Sequence, residues 1–223
     1  MNMRKFVIIV AGGKGLRMGG DIPKQFLPIG GKPILMRTIE RFFEYDSQIQ
    51  VVLVLPQDHF DYWKNLCEEY KFNLPHTLIA GGATRYHSVK NGLMSIACSE
   101  NDLVAVHDGV RPFVSVDTIA ETFEKASQFG AVIPVIDSVD SLREVVGTKS
   151  QARDRSAYKL VQTPQSFTYK VLRQAYDLDY RDTFTDDASV VEAAGFDVTL
   201  VKGNRENIKI TTTYDLKIAS VLV

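Results

Sequence analysis

The stretch "FVIIVAGGKGLRMGGDIPKQF", Phe6 to Phe26, decides the fold of this 223-residue chain. It opens with a short apolar run that cannot span a membrane and that predicts a first buried strand. The run ends in a glycine-rich loop, whose backbone N–H groups can approach phosphate oxygens closely because glycine has no Cβ atom. A strand that leads into such a loop is typical of the ligand-binding edge of a parallel α/β sheet.

Neither of the two familiar nucleotide motifs fits this loop. A dinucleotide fingerprint requires glycine where the chain has Met18, and a P-loop requires a hydroxyl residue directly after its lysine, which neither Lys14 nor Lys32 has. A plain tight turn with solvated cations remains an alternative. The nearby positive charges of Lys14, Arg17 and Lys24 favour a phosphate site.

Further along the chain, apolar β-rich runs alternate with helical patterns. These runs are Val51–Leu55, Leu103–Val106, Ala131–Ile136 and Val198–Val201. The alternation predicts an α/β fold, a mostly parallel sheet with helices on both faces, in a single domain over residues 1–223. Apolar stripes predict two helices, one with Leu35, Ile39 and Phe42 and one with Val171, Ala175 and Leu178. Capping residues predict helix starts at Ser115, Thr185 and Thr212 and a helix end at Gly195.

Residues 137–156 depart from this pattern. They are rich in polar side chains and lack apolar periodicity. A projecting hairpin and a long surface loop both fit the segment, and loop-length statistics favour the loop.

Charge and cysteine content exclude several classes of protein. Lys plus Arg (26) nearly balance Asp plus Glu (27), so no overall positive field would hold a nucleic acid or an anionic membrane. Any anion must therefore bind to a local cluster of cations. Two cysteines are too few for a disulfide scaffold and indicate a cytoplasmic protein.

Three other segments carry polar residues that are candidates for a site. "GGATRYHSV" (81–89) places glycines before a helix start, where an anion or a base edge can bind, although an ordinary connection also fits. Asp108 and Arg111 follow a buried strand, so they either pair with each other or meet a ligand or phosphate-bound Mg²⁺. "ENIKIT" (206–211) predicts a strand in which Asn207 and Lys209 share one face. "QTPQSF" (162–167) and "TDDAS" (185–189) are typical of turns and helix caps.

Taken together and in order, these segments resemble the 2-C-methyl-D-erythritol 4-phosphate cytidylyltransferase family. The resemblance runs nearly end to end through "AGGKGLRMG", "PKQF", "GGATRYHSV", "HDGVRPFV", "QTPQSF", "TDDAS" and "ENIKIT". It implies a Rossmann-like nucleotidyltransferase fold that joins CTP to an alditol phosphate. It also implies Mg²⁺ as cofactor and a homodimer in which residues 137–156 form an arm that completes the neighbouring site.

The resemblance also implies roles for individual residues. The catalytic cations are Arg17, Lys24 and Lys209. The nucleotide-binding residues are Ala11, Gly12, Gly13, Gly15, Gly82, Ala83, Ser88 and Asp108, with Asp108 also the metal ligand. The residues that bind or support the alditol phosphate are Asp108, Arg111, Ser138, Arg155, Thr163, Thr185 and Thr211. The family often has aspartate at position 83 and threonine at position 138.

Three other functions remain open from the sequence. The nearest is ribitol-5-phosphate cytidylyltransferase, whose glycine loop is similar. A sugar-phosphate nucleotidyltransferase that uses another nucleotide is a second alternative. A non-catalytic nucleotide-binding module is the third, although a binder has no need of cations around the α-phosphate.

Overall fold

The computed structural model describes residues 3–12 and 22–223. Its strands are β1 (Lys5–Val10), β2 (Pro28–Ile29), β3 (Lys32–Pro33), β4 (Gln50–Leu55), β5 (Thr77–Ala80), β6 (Leu103–Asp108), β7 (Ala131–Asp137), β8 (Leu142–Val146), β9 (Lys149–Arg153), β10 (Lys159–Val161), β11 (Gln165–Thr168) and β12 (Thr199–Lys202). Its α-helices are α1 (Ile34–Tyr45), α2 (Phe60–Glu69), α3 (Arg85–Met94), α4 (Val116–Phe129), α5 (Tyr169–Ala175), α6 (Asp187–Ala193) and α7 (Thr213–Leu222).

One eight-stranded sheet organises these elements. Its order is β10-β7-β11-β6-β1-β4-β5, with β12 paired to β7. Strands β6, β1, β4 and β5 are mutually parallel, and β12 runs parallel to β7, whereas β10 and β11 are antiparallel to their neighbours. The predicted mostly parallel sheet is therefore confirmed.

Both faces of the sheet are buried, because successive residues of β1 enter different cores. Val7 and Ile9 pack into the core that α1, α2 and α4 cover. Phe6 and Ile8 pack into the opposite core, under α3, α5 and α6. A strand buried on both faces reads as a continuous apolar run, which explains why β1 was recognisable from its sequence.

Two predictions about polar segments were wrong. "QTPQSF" is not only a turn, because its residues 165–167 belong to β11, between β6 and β7. The polar side chains there are paired: Ser166 Oγ donates to Thr122 Oγ1 at 3.0 Å, and Gln165 Nε2 donates to Asp186 Oδ2 at 2.8 Å. The cap of α6 is Asp186 rather than Thr185, since the Asp186 carboxylate accepts the Ser189 N–H.

Other helix signals behaved as expected, with one exception. Ser115 caps α4, Thr212 caps α7 in a capping box with Asp215, and Gly195 follows the end of α6 at φ +88°. The predicted stripe on α5 is only partly right. The helix ends at Ala175, before Leu178.

Residues 137–156 contain a hairpin, so the loop that loop-length statistics favoured is wrong and the hairpin alternative is confirmed; its role as an arm stays a prediction. Strands β8 and β9 pair antiparallel as a sheet of their own, separate from the eight-stranded one. Their side chains are almost all exposed, including Val145 (68%) and Val146 (72%). Apolar periodicity could not reveal this hairpin because neither of its faces is buried in the chain.

None of the helices in residues 3–12 and 22–223 combines the length and the apolarity that a membrane crossing requires.

Candidate functional site

The three loops predicted to bind ligand leave the sheet at one edge. Val10 of β1 lies opposite Asp108 of β6, and Leu55 of β4 lies opposite Ala80 of β5. Backbone bonds extend this alignment past the strand ends: the Ala11 N–H donates to the Val54 carbonyl at 3.0 Å. The carboxyl ends of four parallel strands therefore meet at one level, where ligands bind in such sheets.

Asp108 is the centre of a charged cluster at this edge. Its Oδ2 atom is 3.0 Å from Arg111 Nε and 3.1 Å from Lys209 Nζ, and its Oδ1 atom is 3.8 Å from Arg85 Nε. The residue is only 6% exposed. Burial acts to raise the pKa of the Asp108 carboxyl, but the charges of Arg85, Lys209 and Arg111 outweigh burial and hold that pKa well below its usual range.

His107, behind this cluster, fixes the strand end through a directional chain of hydrogen bonds. The Asp108 N–H donates to Thr163 Oγ1 at 3.1 Å, and Thr163 Oγ1 lies 3.0 Å from His107 Nδ1. His107 Nε2 lies 3.1 Å from the carbonyl of Arg111. Because a carbonyl only accepts, Nε2 carries the proton and Nδ1 accepts from Thr163. Burial lowers the pKa of His107 to about 4, which keeps the ring neutral.

Lys209 reaches the cluster from an irregular segment and not from the predicted strand. The segment is attached to the sheet edge where the Ile210 N–H donates to the Val110 carbonyl at 3.0 Å. Asn207 is fully buried whereas Lys209 is exposed, so the two side chains do not share a face as the alternation predicted. Asn207 Nδ2 instead donates to the Thr163 carbonyl at 2.8 Å, and the Asn207 carbonyl accepts from Arg111 Nη1 at 2.7 Å.

The second glycine-rich loop ends in the N-terminus of α3. Thr84 caps the helix, and Ser88 Oγ accepts the Gly82 N–H at 3.1 Å and donates to the Thr84 carbonyl at 2.9 Å. A Cβ atom at Gly82 would stand 2.4 Å from the Cβ of His87, so this position has no room for a side chain. Gly82 and Ala83 themselves are exposed, which leaves them accessible to a ligand.

Arg85 connects this loop to α6, a link that the sequence did not predict. Its guanidinium makes two hydrogen bonds to Asp187, Nη1 to Oδ1 at 3.0 Å and Nη2 to Oδ2 at 2.6 Å. The Tyr176 hydroxyl also donates to Asp187 Oδ1, at 2.7 Å. Asp187 belongs to "TDDAS", which was interpreted only as a cap, and its partner is 102 residues away in sequence.

Comparison with known proteins shows the family of the chain. The family model described as 2-C-methyl-D-erythritol 4-phosphate cytidylyltransferase matches residues 5–223. The chain belongs to the 2-C-methyl-D-erythritol 4-phosphate cytidylyltransferase family. Relatives of that name from Phocaeicola vulgatus and Bacteroides thetaiotaomicron are 60% and 57% identical, each over 99% of this chain and 100% of the relative.

Solved structures of the same family share the fold. The 4-diphosphocytidyl-2C-methyl-D-erythritol synthase from Anaerococcus prevotii superposes with a TM-score of 0.84 at 29% identity, covering 99% of this chain and 96% of the other. The 2-C-methyl-D-erythritol 4-phosphate cytidylyltransferase from Thermus thermophilus gives a TM-score of 0.78 at 35% identity, with 99% and 98% coverage. The Rossmann-like nucleotidyltransferase fold is thereby confirmed.

The first glycine-rich loop of this family member is described only in part. Ala11 is buried and Gly12 exposed at the end of β1. The predicted residues Gly13, Gly15 and Arg17 lie outside the described residues. Lys24 begins a 3₁₀ turn, Lys24–Phe26, and is partly exposed.

The two residues expected on the arm lie together at its base. Ser138 Oγ donates to the Asp140 carbonyl at 3.1 Å, and Arg155 Nη1 donates to the carbonyl of Val139. No hydrogen bond or ion pair between this pair and Asp108 is found within the described part of a single chain. Their predicted contact with substrate stays a prediction.

The remaining predicted threonines make different contacts. Thr163 joins the Asp108 network directly. Thr211 Oγ1 donates to Asp215 Oδ2 at 3.0 Å within the cap of α7, and the Thr185 N–H donates to Ser189 Oγ at 3.1 Å before α6. Thr185 and Thr211 are thus held by local capping contacts.

Asp108 is the residue expected to hold a metal ion, and within the described residues its Oδ1 atom faces Arg85 and its Oδ2 atom faces Arg111 and Lys209. Among the residues that the structure describes, no group of three or more His, Cys, Asp or Glu side chains could hold a metal ion. Mg²⁺ commonly takes one or two carboxylates and fills its other positions with phosphate oxygens and water. A single carboxylate suits a metal that arrives with a triphosphate rather than one bound by protein alone, and such a metal would have to displace at least one of the cations that pair with Asp108.

Proposed function

We propose that this chain transfers the cytidylyl group of CTP to 2-C-methyl-D-erythritol 4-phosphate, giving 4-diphosphocytidyl-2-C-methyl-D-erythritol and pyrophosphate. The proposal rests on one observation. Arg85, Arg111 and Lys209 converge on Asp108 at the ligand edge of the sheet, in a chain that matches the family over residues 5–223.

CTP binds across the carboxyl ends of β1 and β5 in this proposal. The triphosphate lies on the loop that starts with Ala11 and Gly12 and continues through Gly13 and Gly15. The cytosine lies against the α3 loop, where the backbone of Gly82 and Ala83 and the hydroxyl of Ser88 recognise its polar edge. The exposure of Gly82 and Ala83 supports this placement, and Arg85, at the start of α3, lies 3.8 Å from Asp108.

The methylerythritol phosphate binds at Asp108, Arg111 and Lys209. Arg111 offers a planar guanidinium that can hold two oxygens, and Lys209 offers a point charge that is partly exposed. Thr163 supports this side by holding the backbone of Asp108. Thr185 and Thr211 keep the ends of α6 and α7 in place beside it.

The reaction needs charge stabilisation more than proton transfer. The second pKa of a phosphomonoester is about 6, so the attacking oxygen is mostly ionised at pH 7 and no general base is required. When this dianion approaches a triphosphate, the like charges repel each other. Each pair of charges 4 Å apart costs about 4 kcal/mol at an effective dielectric of 20. Arg17, Lys24 and Lys209 offset this repulsion at the α-phosphate, as preorganised cations do in phosphoryl transfer.

Mg²⁺ is the cofactor in this proposal. Asp108 would hold it together with the phosphate oxygens of CTP. When bound, the ion would neutralise part of the charge of the triphosphate.

The assembly is a two-fold homodimer in which each arm completes the site of the other subunit. Ser138 and Arg155 then bind the alditol phosphate of the neighbouring subunit. Two exposed valines of β8, Val145 and Val146, support this, because apolar side chains on a hairpin gain from burial against a second copy. With two free cysteines, the enzyme works in the cytoplasm.

Release of pyrophosphate tests the proposed reaction. The full chain is incubated with CTP and Mg²⁺ and either 2-C-methyl-D-erythritol 4-phosphate or ribitol 5-phosphate. Faster release with the first is expected. Release with ribitol 5-phosphate alone would assign the other cytidylyltransferase activity, and release only with UTP or GTP would assign another nucleotide. CTP that raises the melting temperature without any release would indicate a non-catalytic binder.

A further inference from the structure

Gln25 is a fully buried amide directly after Lys24. Its side chain is 0% exposed, and Nε2 donates to the Ala11 carbonyl at 2.9 Å. Its Oε1 atom is buried and has no hydrogen-bond partner among the described residues. Leaving a buried acceptor unsatisfied costs stability, which an apolar side chain of similar length would avoid.

The Gln25 hydrogen bond joins two parts of the candidate site. Ala11 is fixed at the sheet edge, because its N–H donates to the Val54 carbonyl and the preceding Val10 lies opposite Asp108. Gln25 lies in the 3₁₀ turn Lys24–Phe26. The amide therefore fixes the backbone beside Lys24 to the edge that carries Asp108.

Phe26 anchors the other side of the same turn. Its ring is 2% exposed and lies 5.0 Å from the ring of Tyr62 and 6.1 Å from that of Trp63, both on α2. The aromatic contacts hold the turn against α2, and the Gln25 hydrogen bond ties it to the end of β1. The turn that carries Lys24 is therefore held on two sides, by Gln25 at the end of β1 and by Phe26 against α2.

We propose that Gln25 is a positioning residue for nucleotidyl transfer, which fixes Lys24 relative to the sheet edge through its hydrogen bond to the Ala11 carbonyl. The inference rests on the proposed role of Lys24 at the α-phosphate. A cation that stabilises a transition state must be held in position to within about 1 Å, because a displacement of that size can lower the rate on the order of 10²-fold. The proposed contacts to cytosine and to the alditol phosphate lie on other elements, and Ala11 stays held by its own N–H bond to the Val54 carbonyl. Removal of the Gln25 amide therefore lowers kcat and leaves both KM values nearly unchanged.

The test uses Gln25→Met, which keeps an unbranched side chain of similar size and removes both amide atoms. We expect a fall in kcat of about 10-fold or more, with KM for each substrate within about 2-fold of wild type. The matched control is Thr122→Val on α4, where the removed hydroxyl is also fully buried and donates to the Ile119 carbonyl. Thr122→Val should have a lower melting temperature than wild type. At temperatures where it is folded, its kcat should equal that of wild type.

Gln25→Glu supplies a second readout that a purely structural role would not produce. An ionised carboxylate cannot donate to the Ala11 carbonyl, whereas a protonated carboxyl can. Because burial favours the protonated form, kcat of Gln25→Glu relative to wild type should rise as the pH falls from about 8 to about 6. A pH-independent ratio would contradict the proposal.

The outcomes separate this inference from the proposed function. If wild type releases no pyrophosphate, both are overturned. If wild type is active and Lys24→Ala is impaired while Gln25→Met has the wild-type kcat, the positioning role alone is overturned. Equal losses of kcat in Gln25→Met and Thr122→Val would also overturn it, since both would then act through general stability.

Discussion

The neutral, buried imidazole of His107 predicts a specific loss of stability in mild acid. Burial lowers the pKa of His107 from 6.5 to about 4. Between these values the unfolded chain binds a proton that the folded chain does not, so the free energy of unfolding decreases as the pH falls from 6.5 to about 4. At 1.36 kcal/mol for each unit of pKa shift, the loss from pH 7 to pH 4 is about 3 kcal/mol.

The perturbation that isolates this effect is His107→Gln, which retains a donor and an acceptor but does not titrate. Urea unfolding of both proteins at several pH values between 7 and 4 gives two stability curves. The wild-type curve should fall about 3 kcal/mol further than that of the variant over this range. The Asp108 carboxyl, with its pKa below the usual 3.8, loses its stabilising contribution only at lower pH. Parallel curves would refute the reasoning, because they would mean that His107 takes up its proton equally in the folded and unfolded chain.

Three further variants test the roles of individual residues. Lys24→Ala should lower kcat by about 10²-fold with the fold intact, which is the scale of losing one preorganised donor; steady-state pyrophosphate release measures it. Arg155→Ala should raise KM for the alditol phosphate much more than KM for CTP, as the same assay shows with each substrate varied in turn. Gly82→Ala should weaken CTP binding by about 10-fold or more, because the new Cβ would stand 2.4 Å from the Cβ of His87 and displace the loop; isothermal titration calorimetry measures the affinity.

Two surface variants serve as controls for lost charge. Lys64→Ala removes an exposed lysine of α2 and should leave kcat unchanged. Arg153→Ala removes an arginine of β9 that pairs with Glu144 on the same arm, and should leave both KM values unchanged. A wild-type kcat in Lys24→Ala would remove Lys24 from the reaction, and equal changes of both KM values in Arg155→Ala would contradict its assignment to the arm. CTP affinity unchanged in Gly82→Ala would place the nucleotide elsewhere.

The sequence predicted the parts of the fold that depend on continuous burial. Strand β1 and helix α1 were recognisable because each buries residues at the spacing of its own secondary structure, such as Leu35, Ile39 and Phe42 on α1. Strand β11 was missed because Gln165 and Ser166 are buried polar residues, each satisfied by a partner on another element. A run of polar residues predicts a turn as long as the distant hydrogen-bond partners of those residues are unknown.

The same limit applies to the site. Asp108 was a candidate because it stands at the end of a strand that the sequence predicts to be buried, and Lys24 because it follows a glycine-rich loop; their roles stay predictions. Arg85 and Asp187 pair across 102 residues, and Asn207 and Thr163 across 44. Nothing local in the sequence distinguishes Asn207 from an exposed residue of an alternating strand, so its burial emerged only from the fold.

Positive and negative charges are nearly balanced within the candidate site, as they are in the whole chain. Arg85, Arg111 and Lys209 surround the carboxylate of Asp108, and Arg85 also pairs with Asp187. The two carboxylates offset most of the charge of the three cations. They therefore limit the mutual repulsion of the cations and hold them in place without a ligand. Because Lys209 is partly exposed, a phosphate can approach its charge from solvent while Asp108 holds the other side. A chain with a net charge of −1 can therefore present several ordered cations to one polyanion.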